Sequence, residues 1–171
     1  MRKLILAGAF ALAAAAPASA MAADTPSAAE LAKASCKTQK AEMGTKTFKQ
    51  TYSTKSVAKA VKACAGLTED TAAAELKNAA KECKAERDLD PAAFALKYGT
   101  NTSGKNAYGK CVSSKAKAAV AEETEKTVAA AETCNSLRSG DKVAFDAKYG
   151  LKKNAFGKCV SATAEAQGDE A

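Results

Sequence analysis

Residues 83–111 read CKAERDLDPAAFALKYGTNTSGKNAYGKC, and residues 134–159 read CNSLRSGDKVAFDAKYGLKKNAFGKC. From each opening cysteine the same chemistry recurs at the same offset. Arg87 matches Arg138, Asp90 matches Asp141, and Phe94, Lys97, Tyr98 and Gly99 match Phe145, Lys148, Tyr149 and Gly150. The second stretch then drops three residues from its loop, and the pattern resumes. Lys105, Asn106 and Ala107 match Lys153, Asn154 and Ala155; Tyr108 answers Phe156, and Gly109 answers Gly157. Residues 36–64, CKTQKAEMGTKTFKQTYSTKSVAKAVKAC, are a divergent first copy. They keep the cysteine span of the second copy, with Phe48 and Tyr52 four apart and Gly44 ahead of them, but lack the Asn-Ala-aromatic-Gly-Lys-Cys ending. End repeats are commonly atypical.

Each unit reads as helix, short helix, loop, helix. Asp90-Pro91 supplies an N-cap and a first-turn proline. Phe94 and Tyr98, at i and i+4, share a face. Gly99 is expected to end that short helix in the left-handed conformation, and Asn106 to cap the next helix. That helix carries Tyr108, Cys111 and Val112 at i, i+3 and i+4; Phe156, Cys159 and Val160 repeat the stripe, and Val57, Val61 and Cys64 form a similar one. Cysteines on apolar faces suit buried disulfides. Gly109 and Gly157 fall in first turns, where glycine costs about 1 kcal/mol against alanine. Their reuse predicts close approach of another backbone, with the aromatic short helix as the expected neighbour. Between Cys111 and Cys134 there is no Gly or Pro, so one helix should be shared by the second and third units.

The flanks set the redox context. Residues 1–20 read as a secretory signal peptide: basic Arg2 and Lys3, an apolar run over 4–16, then Pro17 and the small Ala18-Ser19-Ala20. Cutting after Ala20 leaves all six cysteines in the remainder, which in an exported chain argues for disulfides. No C-x-x-C pair and no histidine occur, so the ligand spacing of structural zinc is missing and no metal or cofactor is expected. Residues 21–171 contain 35 Ala but only seven Leu, seven Val, four Phe and no Ile or Trp. Alanine favours helix and buries little area, so thin cores should need covalent staples. Six cysteines allow about 15 pairings; the repeat selects Cys36–Cys64, Cys83–Cys111 and Cys134–Cys159. The expected fold is all-α, an elongated array of three disulfide-clamped helical hairpins sharing connecting helices. The expected divisions are 21–66, 67–114 and 115–163, followed by a polar tail at 164–171.

With their Lys-Tyr-Gly turn and aromatic-Gly-Lys-Cys-Val-Ser ending, units two and three resemble segments of uncharacterised secreted proteins of high-GC Gram-positive, actinobacterial type. Unit one shares little of this pattern. The resemblance implies export and a bacterial host. It carries over no activity and no catalytic residue.

The chemistry for an enzyme is sparse. Without histidine the commonest base near neutral pH is gone, and Ser or Cys nucleophiles lack a partner. Carboxylates such as those at 122–125 alternate with lysine along an Ala-rich helix, the pattern of a solvated face. A labile, exchanging disulfide is the surviving enzymatic idea. Arg87 with Asp90, and Arg138 with Asp141, read as local ion pairs. The charge distribution is more informative. Residues 21–66 hold eight Lys against three acids, whereas 67–114 hold seven basic against seven acidic residues and 115–171 nine against nine. Lys33, Lys37 and Lys40, then Lys55, Lys59 and Lys62, both recur at i, i+4 and i+7. The plain reading is a solvated helix face. The sharper one is an anion-binding face directed at an anionic envelope polymer or an unidentified protein. Nucleic acid fits poorly: the basic residues there are all Lys, with only Phe48 and Tyr52 to stack. The expectation is therefore a secreted, non-enzymatic binding module acting at the cell envelope, with an envelope-associated structural spacer as the alternative.

Overall fold

Ser27 and Glu30 start the first helix with a reciprocal cap. In the computed structural model, which describes residues 25–101, 103–151 and 154–168, the Ser27 hydroxyl accepts the Glu30 amide at 3.2 Å and the Glu30 carboxylate accepts the Ser27 amide at 2.8 Å. The expected signal peptide lies outside the described residues. Six helices and no strand are formed among those residues: α1 Ala28–Thr51, α2 Val57–Leu89, α3 Pro91–Tyr98, α4 Ala107–Gly140, α5 Lys142–Tyr149 and α6 Ala155–Gly168. Three disulfides, Cys36–Cys64, Cys83–Cys111 and Cys134–Cys159, each clamp two helices of one unit, with Cα atoms 6.0 Å apart. All six cysteines are at most 1% exposed. No helix among the described residues is long and apolar enough to cross a membrane.

The three units share one construction. In units two and three an aspartate seven residues after the first cysteine breaks the helix in extended conformation and caps the short helix that follows. Asp90 accepts from the amides of Ala92 and Ala93, and Asp141 from that of Ala144. In unit one the break is Gly44 (φ 74°, ψ 159°), a kink inside α1. Only glycine adopts that backbone readily. Past each break a phenylalanine and a tyrosine pair at 5.0, 4.9 and 5.0 Å between ring centroids: Phe48–Tyr52, Phe94–Tyr98 and Phe145–Tyr149. The divergent unit is thus a full repeat, with one extra residue before its break.

The units do not stand in a row. α1 packs on α2, α4 and α6, so units one and three share a core: Cys36, Met43, Phe48 and Cys64 meet Val128, Cys134, Phe145, Phe156, Cys159 and Val160. A second core surrounds Cys83–Cys111, with Phe94, Val112 and Val120, and Leu31 joins it from the start of α1. One phenylalanine and one disulfide per hairpin bury little area. Folding the array back pools two such cores into one. The expected boundaries at 66/67 and 114/115 fall inside α2 and α4, each roughly 50 Å long at 1.5 Å per residue. The expected tail at 164–171 is helical as far as Gly168, and Ala164 packs on the shared core.

Local details differ from expectation for steric reasons. Gly99 is extended (φ −72°, ψ 128°), not left-handed. Its need for glycine is spatial: an added Cβ would lie 2.4 Å from the Ala95 carbonyl oxygen. Asn106 makes no side-chain cap; its amide instead folds the loop back, accepting from the Thr100 amide at 3.1 Å and donating to the Thr100 hydroxyl. Gly157 does admit a neighbouring backbone, but the neighbour is the end of α1. A Cβ there would sit 2.5 Å from the Thr51 carbonyl oxygen.

Candidate functional site

The six lysines singled out from the sequence are all exposed. Lys33, Lys37 and Lys40 form one ridge on α1. Lys59 and Lys62 lie on α2, away from its buried Ala60 and Cys64. Lys55 does not extend that second ridge, because α2 begins only at Val57. It sits in the preceding turn, beside Ser53, which holds a left-handed φ of 55°.

Ion pairs among the described residues all lie in units two and three. Lys84 and Arg87 pair with Asp88, Lys97 and Lys115 with Glu86, Lys115 also with Glu82, Lys126 with Glu122 and Glu123, and Lys142 with Asp146. The Lys97 hydrogen bond holds the Glu86 carboxyl below its ordinary range. Correspondingly, Glu86, Glu82 and Glu122 first raise Lys97, Lys115 and Lys126 respectively. The unit-one lysines form no ion pair among the described residues, and Lys33 only helps to lower the nearby Glu30 carboxyl.

Folding unit one against unit three creates a cleft of about 310 Å³ that the linear sequence did not disclose. Lys49, Gln50, Ser53, Thr54 and Lys55 line one side; Arg138, Lys142, Phe145, Asp146, Leu151, Ala155 and Phe156 line the other. Four cations thus face one carboxylate, Asp146, which Lys142 already engages. The expected Arg138–Asp141 pair is not formed among the described residues. The expected Arg87–Asp90 pair is not formed either: Arg87 stacks over the Tyr108 ring at 5.1 Å and reaches Asp88 at 3.4 Å, while Asp90 serves as a cap.

A larger hollow of about 800 Å³, lined by polar and apolar side chains, lies among α1, α2, α4 and α6. It was also missed, because three of its polar lining residues, Ser35, Gln39 and Thr124, are buried side chains that read as solvent-facing. Thr124 donates to the Val120 carbonyl at 2.7 Å. Its one proton is thereby used, so Ser35 donates to Thr124 at 2.6 Å and accepts from the Gln39 amide at 3.1 Å. The Gln39 carbonyl then accepts from the Tyr52 hydroxyl at 2.5 Å. Burial pushes the Tyr52 phenol up to about 12, so at neutral pH it stays a donor to Gln39.

Among the described residues no group of His, Cys, Asp or Glu is placed to hold a metal ion. Comparison with family models, curated proteins and solved structures found no match.

Proposed function

We propose that the protein is an exported, non-enzymatic binding module whose first unit engages an anionic cell-envelope polymer through Lys33, Lys37, Lys40, Lys55, Lys59 and Lys62. One observation carries this reading: the exposed lysines of unit one form no ion pair among the described residues, although Lys33 lies near Glu30, whereas many basic residues of the charge-balanced units two and three are held by carboxylates. An unneutralised cationic face raises the local concentration of a polyanion and speeds its capture. Salt weakens such attraction because the charges are exposed. The three buried disulfides suit an oxidising compartment, and units two and three then act as the rigid support.

The reading is tested by sedimenting the oxidised protein with bacterial cell walls at low and high salt, beside a variant with all six lysines changed to Gln. Binding that fades with salt and is lost in the variant supports it. Binding retained by the variant, or none at low salt, overturns it. The latter outcome favours a spacer.

A further inference from the structure

We infer that the cleft between units one and three is a phosphate-ester site, gripping the charged group with Lys49, Lys55 and Arg138 and its carbon portion with Leu151 and Phe156. The inference rests on the anion-binding reading above and assigns a discrete site to it.

The internal repeat provides the control. In unit two, Arg87 is followed by Asp88, which pairs with it, and Glu86 holds Lys97 and Lys115. At the matching offsets of unit three stand Ser139 and Leu137. Both carboxylates are gone while the arginine is kept as Arg138. Its guanidinium forms no ion pair among the described residues, and the one carboxylate lining the cleft with it, Asp146, is engaged by Lys142. Instead it lines a cleft with two lysines from unit one. A guanidinium offers a planar fork to phosphate oxygens, and lysines add mobile point charges. Gln50, Ser53 and Thr54 line the same cleft and supply neutral donors. The floor is apolar, with Phe145, Ala155 and Phe156 buried, while Leu151 is 85% exposed at the edge. A volume of about 310 Å³ exceeds what a bare tetrahedral anion fills, leaving room for an ester substituent against that floor. Lys142 already pairs with Asp146, so Lys49, Lys55 and Arg138 are the cations left to a ligand.

The test is a titration of the oxidised full-length mature protein with glycerol 3-phosphate, followed by backbone amide NMR. Inorganic phosphate and acetate serve as separate arms. Saturable shifts at residues 50–55 and 138–142 are expected, with glycerol 3-phosphate bound more tightly than inorganic phosphate or acetate. Arg138→Gln should weaken binding about tenfold, the loss of one charge-assisted contact. Lys33→Gln/Lys37→Gln/Lys40→Gln should leave this titration unchanged. Equal response to all three anions, shifts confined to the α1 ridge, or no effect of Arg138→Gln would overturn the assignment. The two claims fail separately. Wall binding that survives Arg138→Gln while the ester titration is flat removes the site and leaves the lysine-face reading. Ester binding without wall sedimentation does the reverse.

Discussion

The hydroxyls of Ser35 and Thr124, 89 residues apart in sequence, lie 2.6 Å apart in a buried contact between α1 and α4. The same two residues line the 800 Å³ cavity on one side and a second hollow, of about 730 Å³ near Pro26 and Lys117, on the other. Their hydrogen bond is the partition between two spaces. Ser35→Ala leaves the Gln39 amide without its acceptor. Thr124→Val leaves the Ser35 hydroxyl without one. Each change should cost about 1–3 kcal/mol, the penalty of an orphaned buried polar group. The double variant should cost less than the sum of the singles. Urea denaturation of the oxidised protein measures all three.

Alkali should act through Tyr52. Its folded pKa is raised by burial, from an ordinary value of 10.0 to about 12. Below the ordinary value both folded and unfolded forms keep the proton, and this contribution is fully present. Above it the unfolded chain ionises first, so the contribution is lost as pH rises from about 10 to about 12. Absorbance near the tyrosinate band should show a component with a midpoint near 12, removed by Tyr52→Phe. A midpoint near 10 for that component would mean Tyr52 is not buried as described.

Two glycines should respond in opposite directions. Gly66 lies inside α2 with nothing within 4 Å of an added Cβ. Gly66→Ala should therefore stabilise by about 0.5–1 kcal/mol, the helix-propensity gain. Gly157→Ala meets the Thr51 carbonyl oxygen at 2.5 Å and should destabilise by about 1–3 kcal/mol through overpacking. Thermal unfolding of the two variants beside the parent decides both.

Removing one staple should have effects that follow the cores and not the repeats. Replacing Cys134 and Cys159 by alanine should cost roughly 3–4 kcal/mol and speed amide exchange in α1 as well as α6, because both line the shared core. The matching change at Cys83 and Cys111 should leave the exchange of Phe48 and Phe156 slow. If each loss stays inside its own unit, the two-core description is wrong.

Much of the fold was legible because the repeats repeat chemistry: cysteine offsets, the Phe–Tyr pair and the Asp break carry over from unit two to unit three. Unit one was harder. Its break is a glycine, and an extra residue shifts Phe48 by one place. The return of α1 onto α4 and α6 was not legible at all. Its buried face interleaves Ala32, Ser35 and Gln39 with Leu31, Cys36, Met43 and Phe48, so small and polar residues interrupt the apolar stripe that would announce burial. The basic cleft was hidden for a related reason. Half its charge comes from Lys49 and Lys55 and half from Arg138 and Lys142, which only tertiary folding brings together. The ridge of Lys33, Lys37 and Lys40 needed nothing beyond helical periodicity.

The pooled core also sets an order of assembly. Phe48 precedes Phe156 by 108 positions, yet Phe48, Phe156 and Val160 belong to one cluster. A chain delivered from its N-terminus presents unit one first and finishes it last. Unit two, whose helices α3 and α4 follow α2 directly, draws most of its core from nearby sequence, with Leu31 of α1 as the distant member. Until the final helix arrives, Cys36 and Cys64 wait on a half-built surface, and contacts of such long range form slowly. In a chain oxidised as it emerges, Cys36–Cys64 is therefore the staple that must close against the least finished core.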